Sequence, residues 1–172
     1  HDRFSQLEKA LEQAKDNGYI YAVKIVRGAY MEKERNRAKA LGYPSPIQPN
    51  KAATDLDYNN ALKLTLKNLQ HMAVVIGTHN EESIQLAATL LKETNLTLDH
   101  PGVYVAQLFG MSDHISFNAS NAGLNTAKYL PFGPVRDVLP YLFRRAEENT
   151  SVEGQTGREL KLIQEELARR NS

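Results

Sequence analysis

The sequence predicts an α/β chain in which short buried strands alternate with helices. Three observations carry that reading. Apolar, β-branched runs recur at Tyr19 to Val26, Ala73 to Gly77 and Val103 to Leu108, lengths that suit strands rather than helices. Stretches with apolar residues at helical spacing lie between them. Glycine, proline and asparagine mark the boundaries. Such alternation implies βα units around a parallel sheet. Periodicity leaves two architectures open, half of an eight-stranded barrel and a small open α/β sheet.

The elements follow in order. Phe4, Leu7, Leu11 and Ala14 give the first helix its apolar stripe, and Asn17-Gly18 ends it, because glycine accepts the left-handed cap conformation. Tyr19 to Val26 is interrupted only by Lys24 and reads as a buried strand. A polar helix is expected from Glu32 to Lys39. Tyr43-Pro44-Ser45-Pro46 and Pro49 then force an extended loop. Thr54 or Asp55 is the expected cap of the next helix, whose apolar positions include Leu62, Leu66 and Leu69. A strand at Ala73–Gly77, a helix at Glu81–Glu93 and a strand at Val103–Leu108 repeat the unit. Ser112 to Gly123 is a weaker helical segment, and Ala127 to Leu130 is a short fourth strand. The helix after Pro134 is expected in two pieces, since Pro140 cannot donate a backbone hydrogen bond. A last amphipathic helix fits Gly157 to Arg170.

Composition narrows the function classes. The 172 residues are 41% hydrophobic and 24% charged, which suits one globular unit able to bury a core. A net charge of +1 provides no bulk field for nucleic acid or an anionic membrane. With no cysteine, a disulfide framework, a thiol nucleophile and a cysteine-based zinc site are excluded. No apolar run approaches the roughly 18 residues of a membrane span, and no signal peptide is visible. The chain starts at His1 and opens directly into a helical pattern, so a processed or truncated product is the expectation.

Sites in parallel sheets gather at the carboxyl ends of strands, and four such places carry unusual residues. After the first strand, Lys24 and Val26 share a face by alternation, and Arg27 follows. Gly28 and Ala29 remove bulk, so a flat ring or a phosphate could approach the backbone. An ion-paired structural lysine and an ordinary turn explain the same residues. After the second strand, Thr78 or Asn80 can cap a helix and Glu81 or Glu82 suits its first turn; the helix start also favours a bound phosphate. Plain capping beside a solvated His79 is the alternative. No His or Cys stands at ligand spacing from His79, and His71 lies across a strand, so no metal site is read. After the third strand, Gln107-Leu108-Phe109-Gly110-Met111 offers core residues or an apolar pocket wall. Tyr129 ends the fourth strand, and Tyr141, Arg144, Arg145 and Glu148 fall on one helix face. Adjacent arginines beside tyrosines suit a carboxylate held by charge-assisted hydrogen bonds, or a surface Arg–Glu network.

Together and in this order, Arg27-Gly28-Ala29-Tyr30, Thr78-His79-Asn80, Leu108-x-Gly110-Met111 and Tyr141-Leu142-x-Arg144-Arg145-x-x-Glu148-Asn149 resemble the signature blocks of the proline dehydrogenase family. The resemblance runs from about Tyr21 to Glu148. It implies the C-terminal half of a (β/α)₈ barrel with non-covalently bound FAD, oxidising L-proline to Δ1-pyrroline-5-carboxylate. A hydride would pass to flavin N5, and electrons onward to a membrane quinone. Arg144 and Arg145 match the pair that grips the proline carboxylate. Tyr129 and Tyr141 match aromatics on the proline ring, Leu108 an apolar wall, and Glu148 an acidic residue near the arginines or the flavin tail. Arg27, Gly28 and Ala29 match FAD contacts, as do Thr78 and His79. Lys24 occupies the place of a catalytic cation near flavin N5, where many bacterial members carry arginine.

The resemblance also implies that residues 1–172 lack the first half of the barrel. That half would supply a substrate-binding lysine, an acidic partner near the flavin and a glutamine contact, in cis or in trans. The isolated chain is therefore expected to be weakly active or inactive. The resemblance implies a setting in the bacterial cytoplasm or at the inner membrane face, or at the mitochondrial inner membrane, with peripheral membrane association, and no nucleic-acid partner is expected. Two competing readings are a Schiff-base enzyme using Lys24 and a non-catalytic half-barrel that mediates association.

Overall fold

The computed structural model describes residues 2–28 and 30–151, together with 161, 164, 167 and 168; side chains at 146–151 are not described. Six helices and four strands occupy the described residues: α1 (Arg3–Asn17), β1 (Tyr21–Ile25), α2 (Met31–Leu41), α3 (Lys51–Leu66), β2 (Met72–Gly77), α4 (Glu81–Glu93), β3 (Val103–Leu108), α5 (Asp113–Asn121), β4 (Thr126–Tyr129) and α6 (Val135–Ser151). All three strand pairings are parallel, in the order β1-β2-β3-β4. Sequential order without reversal is the wiring of a barrel, whereas a doubly wound sheet reverses at a switch point. Of the two architectures left open by periodicity, the topology selects the barrel-like one.

Alternation decides which face of the sheet is core. In β2, Met72, Val74 and Ile76 are buried while Ala73, Val75 and Gly77 are half-buried. Ile25, Val74, Ile76, Val103 and Val105 pack under Leu62 and Leu66 of α3, Ala87 and Leu91 of α4, and Ile115 and Ala119 of α5. Burying a side chain of this size contributes about 1.5–3 kcal/mol, so this layer fixes where every strand ends.

Two sequence expectations are corrected. Neither Thr54 nor Asp55 caps α3. Asn50 does, with extended backbone and a side-chain oxygen that accepts from the Ala53 N–H at 2.8 Å. Asn50 stands directly before the first helical residue with φ −153° and ψ 175°, the extended backbone of an N-cap, whereas Thr54 and Asp55 already lie inside the helix. The helix after Pro134 is also not split, because Pro140 lies inside continuous α6. Only the intrahelical bond to the Arg136 carbonyl is forfeited, on an exposed early turn where water can replace it. Gly18 ends α1 in the left-handed conformation at φ 69°, as expected. Most of the helix expected at Gly157–Arg170 lies outside the described residues.

Candidate active site

The face of the sheet opposite the core carries the unusual residues. Register aligns Lys24 with Val75 and Val75 with Tyr104, and two residues along it aligns Gly77 with Ala106 and Ala106 with Ala127. Leu108 then stands beside Tyr129. Gly77, Ala106 and Ala127 make a row with little bulk, against which a flat ring can lie. Gly77 is the tightest point of these three. A Cβ there would lie 2.9 Å from Val26 Cγ1, 3.1 Å from the Ile25 carbonyl and 3.2 Å from Lys24 Cε. The missing Cβ therefore leaves room for the Lys24 stem beside β2.

Lys24 points toward the far strand. Its Nζ lies 4.8 Å from the Tyr129 ring centroid. Tyr129 meets Tyr141 edge to face, with centroids 5.8 Å apart at 61°. The Arg145 guanidinium carbon lies 5.4 Å from the Tyr141 centroid. The result is a row of cation, ring, ring and cation from β1 to α6, with distances in the range of cation–π and edge-to-face contacts. Tyr129 is 44% exposed, so the row borders open space. Arg144 is exposed and does not join the row. Glu148 falls where side chains are not described.

Arg27 takes the other direction. By alternation it follows Ile25 onto the helix-facing side. Its Nη1 donates to Asp55 Oδ1, and its Nη2 donates to Thr78 Oγ1 at 3.0 Å and to Ser83 Oγ at 2.6 Å. Its guanidinium carbon lies 4.0 Å from the Tyr58 ring centroid. Burial pushes the Asp55 carboxyl up, but hydrogen bonds and charge from Lys51 and Arg27 outweigh it and leave it below its ordinary value. Burial pushes the Tyr58 hydroxyl up to about 12, against the opposing charge of Arg27. Arg27, Asp55 and Tyr58 also border a cleft of about 1040 Å³ along β1.

The loops after β2 and β3 are tied together. Thr78 is buried and receives Arg27, while its carbonyl accepts from Gln107 Nε2 at 3.1 Å. His79 Nδ1 lies 2.8 Å from Ser112 Oγ, and His114 Nε2 lies 3.2 Å from Glu81 Oε1. Asn80 caps α4 by accepting from the Ser83 N–H at 2.8 Å. Gly28 has φ 77°, a left-handed turn that suits glycine, and Ala29 lies outside the described residues.

The structure thus brings Lys24, Leu108, Tyr129, Tyr141 and Arg145 to one face, and places Arg27 and Thr78 in a second cluster behind it. Sequence reasoning missed Tyr58, Ser83 and Gly77 as site elements, and considered Asp55 only as a helix cap. The signal for two of them was present. Asp55 and Tyr58 stand three apart on α3, with Leu62 four further along the same stripe.

A parallel sheet in sequential order, with a cation–aromatic row at the carboxyl ends of its strands, defines part of a barrel-type enzyme scaffold. The chain belongs to the proline dehydrogenase family, whose family model matches residues 1–158. It is 41% identical over 172 residues to proline dehydrogenase 1, mitochondrial, of Homo sapiens, which covers 98% of this chain and 29% of that protein. It is 42% identical over 173 residues to a hydroxyproline dehydrogenase of Xenopus laevis, covering 98% of this chain and 37% of the relative. The chain therefore spans roughly a third of these relatives' lengths. A solved structure of proline utilization A (PutA) from Bdellovibrio bacteriovorus superposes with a TM-score of 0.82 at 28% identity, covering 89% of this chain and 16% of that one.

Proposed function

We propose that residues 1–172 form the C-terminal portion of a (β/α)₈ barrel that oxidises L-proline to Δ1-pyrroline-5-carboxylate with FAD. The observation that carries this reading is the row Lys24–Tyr129–Tyr141–Arg145 on the open sheet face. A proline has a carboxylate and a small apolar ring, and the row offers a cation beside two aromatic rings that meet edge to face. Arg145, joined by Arg144, holds the carboxylate by charge-assisted hydrogen bonds. Tyr129, Tyr141 and Leu108 enclose the ring, and Glu148 sits one helical turn beyond Arg144.

FAD, when bound, supplies the hydride acceptor. The residues fit such a group, since the small residues Gly77, Ala106 and Ala127 stand side by side in register and the missing Cβ at Gly77 leaves room for the Lys24 stem beside them. Lys24 places a positive charge near these small residues, which favours an electron-rich ring. Gly28, Ala29, Thr78 and His79 would hold the remainder of the cofactor, with Arg27 behind them.

The remaining strands complete the barrel at the open edges of β1 and β4, in cis or from a complementary chain, and electrons leave to a membrane quinone. Among the described residues no helix is long and apolar enough to cross a membrane. The mitochondrial relatives support a mitochondrial setting. Relatives named for proline and for hydroxyproline match at similar identity, and Tyr129 is the candidate for the residue that meets the ring's 4-position.

The test is proline-dependent dye reduction by a protein restored to full barrel length and supplied with FAD, with L-proline and 4-hydroxyproline compared. Reduction that is lost on Arg144→Met or Arg145→Met supports the reading. A restored protein that neither takes up flavin nor reduces dye rejects it, and borohydride trapping of a carbonyl on Lys24 would favour the Schiff-base alternative.

A further inference from the structure

We propose that Asp55 and Tyr58 of α3 are positioning residues for the cofactor site, acting through Arg27 on the loop Thr78–Asn80. This rests on the flavin reading above, in which that loop holds part of FAD. Arg27 has its guanidinium engaged on two edges and one face. Asp55 takes Nη1. Thr78 and Ser83 share Nη2 at 3.0 and 2.6 Å. Tyr58 covers a face at 4.0 Å. The Arg27 side chain is only 17% exposed and that of Asp55 26%, so the charges are partly withdrawn from water and their pairing has directional force.

The partners of Arg27 are the residues that shape the loop. Thr78 Oγ1 also accepts from the Asn80 N–H at 3.1 Å. Asn80 Oδ1 accepts from the Ser83 N–H, and Ser83 Oγ donates to Asn59 Oδ1 at 3.0 Å on α3. Tyr58 donates its hydroxyl to the Gly77 carbonyl at 3.4 Å, directly before the loop. One guanidinium therefore connects α3 to the end of β2 and the first turn of α4. Asp55 fixes its orientation and Tyr58 fixes its plane. On this geometry Arg27 serves the flavin by holding the loop, and its own side chain is directed away from the open face where Lys24 and Tyr129 lie.

The test uses the full-length protein in apo and FAD-loaded forms, with Asp55→Asn, Tyr58→Leu, Tyr58→Phe and Arg27→Met. Amide hydrogen exchange at Asn80 and Ser83 is read in the apo form, where no flavin can contribute. Asp55→Asn and Tyr58→Leu are each expected to speed that exchange and to weaken FAD binding about tenfold, the scale of one lost partly desolvated cation contact. The KM for proline at saturating FAD should stay within about twofold. Tyr58→Phe keeps the ring and should restore most of the affinity lost in Tyr58→Leu. FAD affinity unchanged in Asp55→Asn and Tyr58→Leu but lost in Arg27→Met would overturn the proposal, since Arg27 would then act by direct contact. Unchanged exchange at Asn80 and Ser83 in every variant would overturn it as well. A parent protein that takes up no FAD would overturn the flavin reading itself, and with it the role given to the clamp.

Discussion

The two faces of the sheet come from the same strands and behave oppositely. On the helix side, Val74, Ile76, Val103 and Val105 are at most 2% exposed and packed by α3, α4 and α5. On the open side, Val26, Tyr104 and Tyr129 remain 53%, 43% and 44% exposed. Period-two alternation makes this separation automatic, since a residue and its neighbour cannot share a face. The difference teaches that stability and chemistry are written on alternate positions of one strand. Lys24 can therefore carry a charge in the middle of an apolar run without entering the core.

The sharpest challenge to this division is a substitution on each face. Ile76→Ala, on the helix side, should destabilise the protein by about 2–5 kcal/mol through lost burial and a residual cavity, read as a lower urea midpoint. Tyr104→Ala, on the open side, should shift the same midpoint by less than about 1 kcal/mol in this chain. Comparable losses at both positions would mean that the open face is also core.

Titration probes the polar exceptions on the helix side. Tyr58 has its hydroxyl raised to about 12 by burial. Its folded value exceeds its unfolded one, so its contribution is complete below pH 10 and is lost as pH rises from 10 to about 12. Alkaline unfolding should steepen across that window, by no more than roughly 3 kcal/mol, and Tyr58→Phe should flatten it. Asp55 is lowered by Lys51 and Arg27 despite its burial. Its contribution is present above its unfolded value near 3.8 and fades as pH falls through the lower folded value. Asp55→Asn should blunt that acid limb.

On the open side, Arg145→Met in the full-length protein should raise the KM for proline about 10- to 100-fold, the range of one charged hydrogen bond, with little change in the unfolding midpoint. The smallest effect belongs to the boundary between the faces. Asn80→Ala removes the cap of α4 and should cost about 1 kcal/mol, measured by thermal unfolding.

The strands and α4 were legible because local signals sufficed. Val103–Leu108 and Glu81–Glu93 occupy the boundaries expected of them, each set by an apolar run or a cap followed by acidic residues. The cap of α3 was misread because three residues near Pro49 have capping chemistry and only backbone geometry distinguishes Asn50. Pro140 was read as a break because its local cost was counted without the exposed carbonyl that absorbs it. Lys24, Leu108, Tyr129, Tyr141 and Arg145 were legible as candidates from their places at strand ends and on one helix face. Their meeting was not, since Lys24 and Tyr129 are far apart in the chain and join only across the whole sheet. The partners of Arg27 were hidden for the same reason: Asp55, Thr78 and Ser83 lie 28, 51 and 56 residues away. Contacts of that separation depend on strand order, which composition and periodicity do not encode.

The bare α-carbon at Gly77 has an evolutionary consequence. A methyl group there would sit 3.2 Å from Lys24 Cε and 2.9 Å from Val26 Cγ1, closer than side chains normally tolerate. Positions 24, 26 and 77 are therefore not free to drift independently. A lineage that gains a Cβ at 77 must trim residue 26, move the stem of residue 24 and shift the β1 backbone at Ile25, whose carbonyl lies 3.1 Å from that Cβ. Sequences of the family should show these three positions changing as a set.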